Sequence, residues 1–226
     1  MTGDKLFMKR FKITDIFIGI IFTLLFISVG VIAAVNFRGL YYFDIDHLNI
    51  VASSGFDKAT ITENYDALID YNSPFFRGEL QFPGLAASAD GLQHFVEVKN
   101  IFIAFYFIAG ISLIASLIVI FYKKHKRDYK YLLISSITVL VLPVIVALGS
   151  AINFDAAFVI FHKIFFRNDL WLFDPSTDPV ITILPDTFFL HALLVIIAFV
   201  LAGSLLLALL YKHLLRRKGR RNFSRF

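Results

Sequence analysis

The fold class predicted by this sequence is an all-α membrane protein: a four-helix transmembrane bundle with a small mixed α/β extracytoplasmic cap. Three observations lead there. Of the 226 residues, 58% are hydrophobic and 17% charged, whereas soluble domains run near ~45–50% and ~25%. A soluble fold of this size lacks the interior to hide so much apolar surface. The apolar residues gather into four runs, each close to the ~20 residues a helix needs to cross ~30 Å of hydrocarbon. Finally, Lys and Arg crowd onto one set of connecting segments, while Asp and Glu crowd onto the other.

The first run covers residues 16–35 and has no charged residue inside it. It exceeds the ~7–15 residues of a cleavable signal core, so it reads as a retained span. Residues 36–100 form a cap loop with its own structure. Within it, residues 41–50 have partial strand character. Thr60, Ile61, Thr62 and Glu63 match a capping box, which predicts a short helix over about 61–71. Residues 79–82, ahead of Pro83 and Gly84, read as a second strand. A helix begins near Ser88 and runs without a break into the second span, 101–122. A tight basic turn leads to the third span, 131–152, where Pro143 predicts a kink. Residues 153–187 form an interfacial loop, and the fourth span is 188–211. The chain therefore reads as a single four-span membrane domain over 1–226.

Charge sets the orientation. The segment before span one, the turn between spans two and three, and the tail carry 16 of the 22 Lys and Arg, with 3 acids, a net +13. Loops 36–100 and 153–187 carry 6 basic and 14 acidic residues, a net −8. Both termini are expected in the cytoplasm and both long loops outside, in the cell membrane. The basic excess is the positive-inside pattern and gives no reason to expect a nucleic-acid partner.

Several chemistries lack their residues. There is no cysteine, hence no disulfide, thiolate metal site or Cys nucleophile. No Gly-x-Ser-x-Gly elbow, no His-Glu-x-x-His helix, no His-x4-Asp pattern and no phosphate-cradling Gly-rich loop is present. Of the six His, His125 and His213 sit among basic residues. His47 lies in the cap loop and His191 just inside span four. His94, seven residues before span two, and His162, ten residues past span three, fall near the outer interface, at the level of lipid ester bonds. Glu97 shares a helical face with His94. Around His162, Phe154, Phe158, Phe161, Phe165 and Phe166 recur at near-helical spacing, as in a segment lying in the interface. Arg167, Asn168, Asp169 and Trp171 follow as a polar set in an apolar neighbourhood. The bland reading is an aromatic belt with packing histidines; the functional one is an imidazole held by polar partners.

At these segments the sequence resembles the bacterial Lit family of integral membrane proteins, the lipoprotein intramolecular transacylases. His94-Phe95-Val96-Glu97-Val98-Lys99-Asn100-Ile101-Phe102 is similar to the first signature, with Phe95 and Glu97 where the family more often has Met and Asp. The second signature runs from Phe161 and His162 through Ile164, Phe165, Phe166, Asn168, Asp169, Trp171, Asp174, Pro175, Asp178, Leu184 and Pro185 to Phe188 and Phe189. The resemblance implies that His94 and His162 are catalytic. It implies support or substrate positioning by Glu97, Lys99, Arg167, Asn168, Asp169 and Trp171. It further implies that the sn-2 acyl chain of a diacylglyceryl-cysteine lipoprotein moves to the α-amino group of the same cysteine, giving the lyso-form. The expected partners are such lipoproteins and membrane lipids.

That chemistry fits the residues. Ester-to-amide transfer is downhill and needs no cofactor or metal. The amine, with a pKa of about 7.7–8.0, is mostly protonated near neutral pH. A base near 6.5 activates it, and the oxyanion takes a donor from the other imidazole, Arg167 or a backbone N–H. Asp155 and Asp169 on the stripe of His162 favour that ring as the base. A non-enzymatic accessory or lipid-binding protein is the rival reading; it would not need both histidines. A metal-dependent hydrolase using His94, His162 and an outer Asp is a third reading, with few ligands for a metal.

Overall fold

The computed structural model describes residues 12–223, with α1 (Ile13–Asn36), α2 (Arg38–His47), α3 (Ile50–Ser54), α4 (Lys58–Tyr71), α5 (Ala89–His125), α6 (Lys130–Ile152), α7 (Phe154–Phe165), α8 (Val180–Ile183) and α9 (Asp186–Phe223). Lys5, Lys9, Arg10 and Arg225, used in the charge reading with Asp4, lie outside the described residues. Four helices, α1, α5, α6 and α9, are long and apolar enough to cross a membrane.

In the bundle, α1 packs against α5, α6 and α9, and α6 packs against α9. Small residues let the backbones approach, the usual device where lipid offers no hydrophobic drive. A Cβ at Gly30 would come within 3.2 Å of the Ile196 backbone, and one at Gly203 would press into the Phe26 ring. Phe22, Leu132, Val139 and Val200 fill the interior. The Ser204 hydroxyl donates to the Ser136 carbonyl at 2.7 Å, joining α9 to α6. Ile114, Phe121, Ile145 and Leu205 point outward, as a lipid-facing surface requires. At one end the buried Lys123 ammonium donates to Asp15 at 2.9 Å and Asp128 at 3.1 Å, tying α1 to the α5–α6 turn.

The cap is helical, which corrects the expected mixed α/β architecture: no strand occurs among the described residues. Residues 41–50, read as a partial strand, belong largely to α2. Its buried residues are Tyr41, Asp44 and Ile45, a spacing of three and four that places all of them on one helical face. Residues 79–82 are irregular. Pro74, Gly78, Pro83 and Gly84 punctuate this stretch, while Leu80 and Leu85 anchor it in the cap core. That core centres on Tyr41 and Tyr65, whose rings stack at 3.7 Å. The Tyr41 hydroxyl donates to the Ile183 carbonyl at 2.6 Å, fastening α2 to α8.

Helix starts follow their caps. Asp57, not Thr60, caps α4: its carboxylate accepts from the Thr60 N–H at 3.0 Å and the Thr60 hydroxyl at 2.8 Å. The helix therefore begins about one turn earlier than the capping-box reading. Ser88 caps α5 by accepting from the Gly91 N–H at 2.9 Å. Thirty-seven residues make α5 roughly 55 Å long at ~1.5 Å per residue, well beyond the hydrocarbon thickness. Its first turns, which carry His94, therefore precede the apolar run. Pro143 lies inside α6, which continues to Ile152. Asn153 then caps α7, accepting from the Ala156 N–H at 2.9 Å.

Candidate functional site

His162 is the buried residue of α7; the other side chains of this short helix are exposed or half-exposed. Its Nδ1 lies 2.8 Å from the Phe158 carbonyl oxygen, one turn back. A carbonyl can only accept, so Nδ1 carries the proton and Nε2 of the neutral ring keeps its lone pair. Trp171 stacks on the imidazole at 4.7 Å. Burial pushes the imidazole below its ordinary value, an effect partly offset by the Phe158 hydrogen bond and by the charge of Asp186. Asp155 and Asp169, whose place on this stripe favoured the ring as base, do not hydrogen-bond to it; the Phe158 carbonyl does.

His94 arrives from the first turns of α5. It is 4% exposed, and its ring centroid stands 6.0 Å from that of His162. Phe166 packs against both, at 4.6 Å from His94 and 5.5 Å from His162, and Phe173 closes the His94 side at 5.5 Å. The Nδ1 of His94 is buried without a hydrogen-bond partner. Two imidazoles from different helices thus meet among Phe166, Phe173 and Trp171.

A turn at residues 167–171 borders this pair. The Asn168 amide donates to Glu97 Oε1 at 2.9 Å. Asn168 also accepts from the Leu170 N–H at 3.2 Å and, through its carbonyl, from the Trp171 indole at 3.0 Å. Glu97 therefore pairs with Asn168, not with His94. Beside the pair, and sharing Phe166 with it, lies a cavity of about 310 Å³ lined by Glu97, Asn100, Ile101, Phe165, Phe166, Arg167 and Asn168. The exposed Arg167 borders the cavity. Two expected residues stand apart. Lys99 reaches the cap, with its ammonium 4.2 Å over the Tyr71 ring and 3.4 Å from the Phe76 carbonyl. Asp169 is exposed, and its carbonyl accepts from the Leu172 N–H. Among the described residues, no three His, Cys, Asp or Glu converge as metal ligands.

Two supports had no role in the sequence reading, although Asp178 lies in the second signature. Asp178, 3% exposed, accepts from the Ser88 N–H at 2.8 Å and the Thr177 hydroxyl at 2.7 Å. It thereby fixes the start of the His94 helix against the second loop. Asp44, fully buried, sits 2.9 Å from His191 Nδ1 through both carboxylate oxygens and locks α2 onto α9. A separation of 147 residues left no local signal for that pair.

The family description "Lipoprotein intramolecular transacylase Lit" matches residues 16–189. The chain is similar to the solved structure of membrane-integral Lit from Bacillus cereus at 39% identity, covering 92% of this chain and 98% of that one, with a TM-score of 0.86. Similarity extends to its histidine-to-arginine variant (39% identity, 92% and 95% coverage, TM-score 0.81). A histidine-to-alanine variant also matches (38%, 92% and 96%, 0.82). No curated protein sequence matches. The chain, an integral membrane protein with four spans' worth of apolar helix, belongs to the lipoprotein intramolecular transacylase family Lit, a family of acyltransferases.

Proposed function

We propose that His94 and His162 carry an intramolecular acyl transfer on a diacylglyceryl-modified lipoprotein, moving the sn-2 acyl chain to the α-amino group of the same N-terminal cysteine. The observation that supports this most is the pairing of two buried imidazoles at 6.0 Å, one of them held in the tautomer that leaves Nε2 basic.

The substrate arrives as an ammonium. His162 Nε2 takes one proton from it, and His94 faces the same nitrogen and helps hold it. The nitrogen lone pair attacks the sn-2 ester carbonyl. Arg167, at the rim of the cavity, places positive charge near the developing oxyanion. When the ester C–O bond breaks, the glyceryl oxygen leaves and takes a proton back from His162. The second proton of the original ammonium is released, leaving one N–H on the amide. Amine and ester belong to one molecule, so orientation contributes much of the acceleration. Trp171 stacks over His162 and, bonded to Asn168, fixes the base in register with the pocket wall. Asp169 and Lys99 act at a distance, on loop and cap.

The charge distribution supports both termini in the cytoplasm and the histidine pair at the outer leaflet, where a lipoprotein presents its acyl chains among the membrane lipids. Mass spectrometry of a synthetic diacylglyceryl lipopeptide incubated with the purified protein tests the reaction. An N-acyl, sn-2-lyso product is expected from the native protein and a loss of most of it from His94→Ala and from His162→Ala, each alone. Full conversion by both variants would overturn the assignment.

A further inference from the structure

Two buried polar atoms on one face of α5 have no partner: His94 Nδ1, an acceptor when the ring proton sits on Nε2, and Glu97 Oε2. Buried polar atoms left unsatisfied are rare, and a ligand is one of the few explanations. They lie three residues apart, the spacing that brings helical side chains together. The other carboxylate oxygen of Glu97 is held by Asn168 at 2.9 Å, so Oε2 is not free to swing toward a different neighbour without breaking that bond. The same turn carries Trp171, stacked on His162. The position of the Glu97 carboxylate is therefore tied, through the 168–171 turn, to the position of the base.

From this geometry we infer that Glu97 is the binding group for the substrate α-ammonium, an inference that rests on the transacylase reading above. An ammonium has three N–H donors. One meets Glu97 Oε2, one His94 Nδ1 and one the lone pair of His162 Nε2, so a single cationic nitrogen answers both unpartnered atoms and the base. The anionic carboxylate adds charge assistance that a neutral donor does not obtain. Transfer of one proton to His162 frees the nitrogen for attack while Glu97 still holds it, and attack places positive charge back on nitrogen beside the carboxylate. The amide product is neutral at nitrogen and retains one N–H. It loses the charge-assisted contact, so the same group that selects a free amine releases the N-acylated product. The site thus discriminates against lipoproteins whose amino terminus is already acylated.

The test compares two synthetic lipopeptides: diacylglyceryl cysteinyl peptide with its free amine, and the desamino analogue, identical except that hydrogen replaces the ammonium. Both carry an sn-2 ether in place of the ester, so no acyl group can transfer, and binding to the full-length protein in nanodiscs is measured directly. The native protein should bind the free-amine peptide roughly ten- to hundredfold tighter than the desamino analogue, as expected for a hydrogen bond to a charged group. Glu97→Gln, which keeps an oxygen for Asn168, should bind the two about equally. Glu97→Asp, which keeps the charge, should restore part of the preference. Equal affinities in the native protein, or an undiminished preference in Glu97→Gln, would overturn the ammonium site while leaving the transacylase reading intact. Absence of binding by either peptide to the native protein would overturn both.

Discussion

Replacing Gly91 with alanine tests how the start of α5 sets the histidine pair. A Cβ at Gly91 would overlap the Asp178 carboxylate oxygen, lie 3.0 Å from its Cγ and 3.1 Å from Phe173 Cε1. Asp178 is buried and bonded to the Ser88 N–H and the Thr177 hydroxyl, so it cannot yield without breaking a contact. Loss of the Ser88 bond to the carboxylate costs about 1.5–3 kcal/mol, and crowding of Phe173 about 1–3 kcal/mol. The gain in helix propensity, at most ~1 kcal/mol, offsets only part of this. A net destabilisation of about 1.5–5 kcal/mol follows. Phe173 packs on both His94 and Phe95, so lipopeptide turnover should fall as well. The assay is thermal unfolding in one detergent together with initial rates. Gly110→Ala and Gly149→Ala serve as controls, because a Cβ at either position meets nothing within 4 Å. Those variants should be neutral or slightly stabilised. If Gly91→Ala behaved like them in both assays, the anchoring role of Asp178 would be refuted.

Three further expectations are open to direct measurement. The acid limb of kcat/KM should lie below the ordinary imidazole value of about 6.5, because burial lowers His162 and a base works when unprotonated; a limb above that value would count against His162 in this role. Asp44→Ala strips the carboxylate from His191 and should lower stability by about 1.5–3 kcal/mol, read as an earlier unfolding transition, with no such loss expected from the exposed Glu63→Ala. Cysteines introduced at the exposed positions Glu63 and Ser176 should react with impermeant reagent in intact cells, while one at the exposed Lys124 should react only after lysis; the reverse pattern would invert the topology.

Much of this was legible in the sequence. Long apolar runs are set by hydrocarbon thickness, so the four helices long and apolar enough to cross a membrane follow from residue type alone. Ser88 announced the start of α5 because a cap is a local hydrogen bond. The cap misled because Tyr41, Asp44 and Ile45 satisfy a helical face that a short mixed segment hides. His94 and His162 stood out by location and by resemblance. What surrounds them depends on tertiary contacts: Glu97 bonds to Asn168 across 71 residues, and Asp178 reaches Ser88 across 90. Lys99 shares the first signature, yet its side chain leaves the histidine pair for Tyr71. No spacing along one helix encodes these choices.

In the reaction proposed for the His94–His162 pair, acyl donor and amine acceptor are parts of one molecule. The most direct measurement is a crossover experiment with the purified protein and two lipopeptides, one labelled isotopically in its sn-2 chain and the other in its peptide. Intramolecular transfer predicts that every N-acylated product keeps the isotopic pairing of its own substrate, at any mixing ratio and with no added phospholipid. Crossed products, carrying the acyl chain of one lipopeptide on the nitrogen of the other, would contradict it.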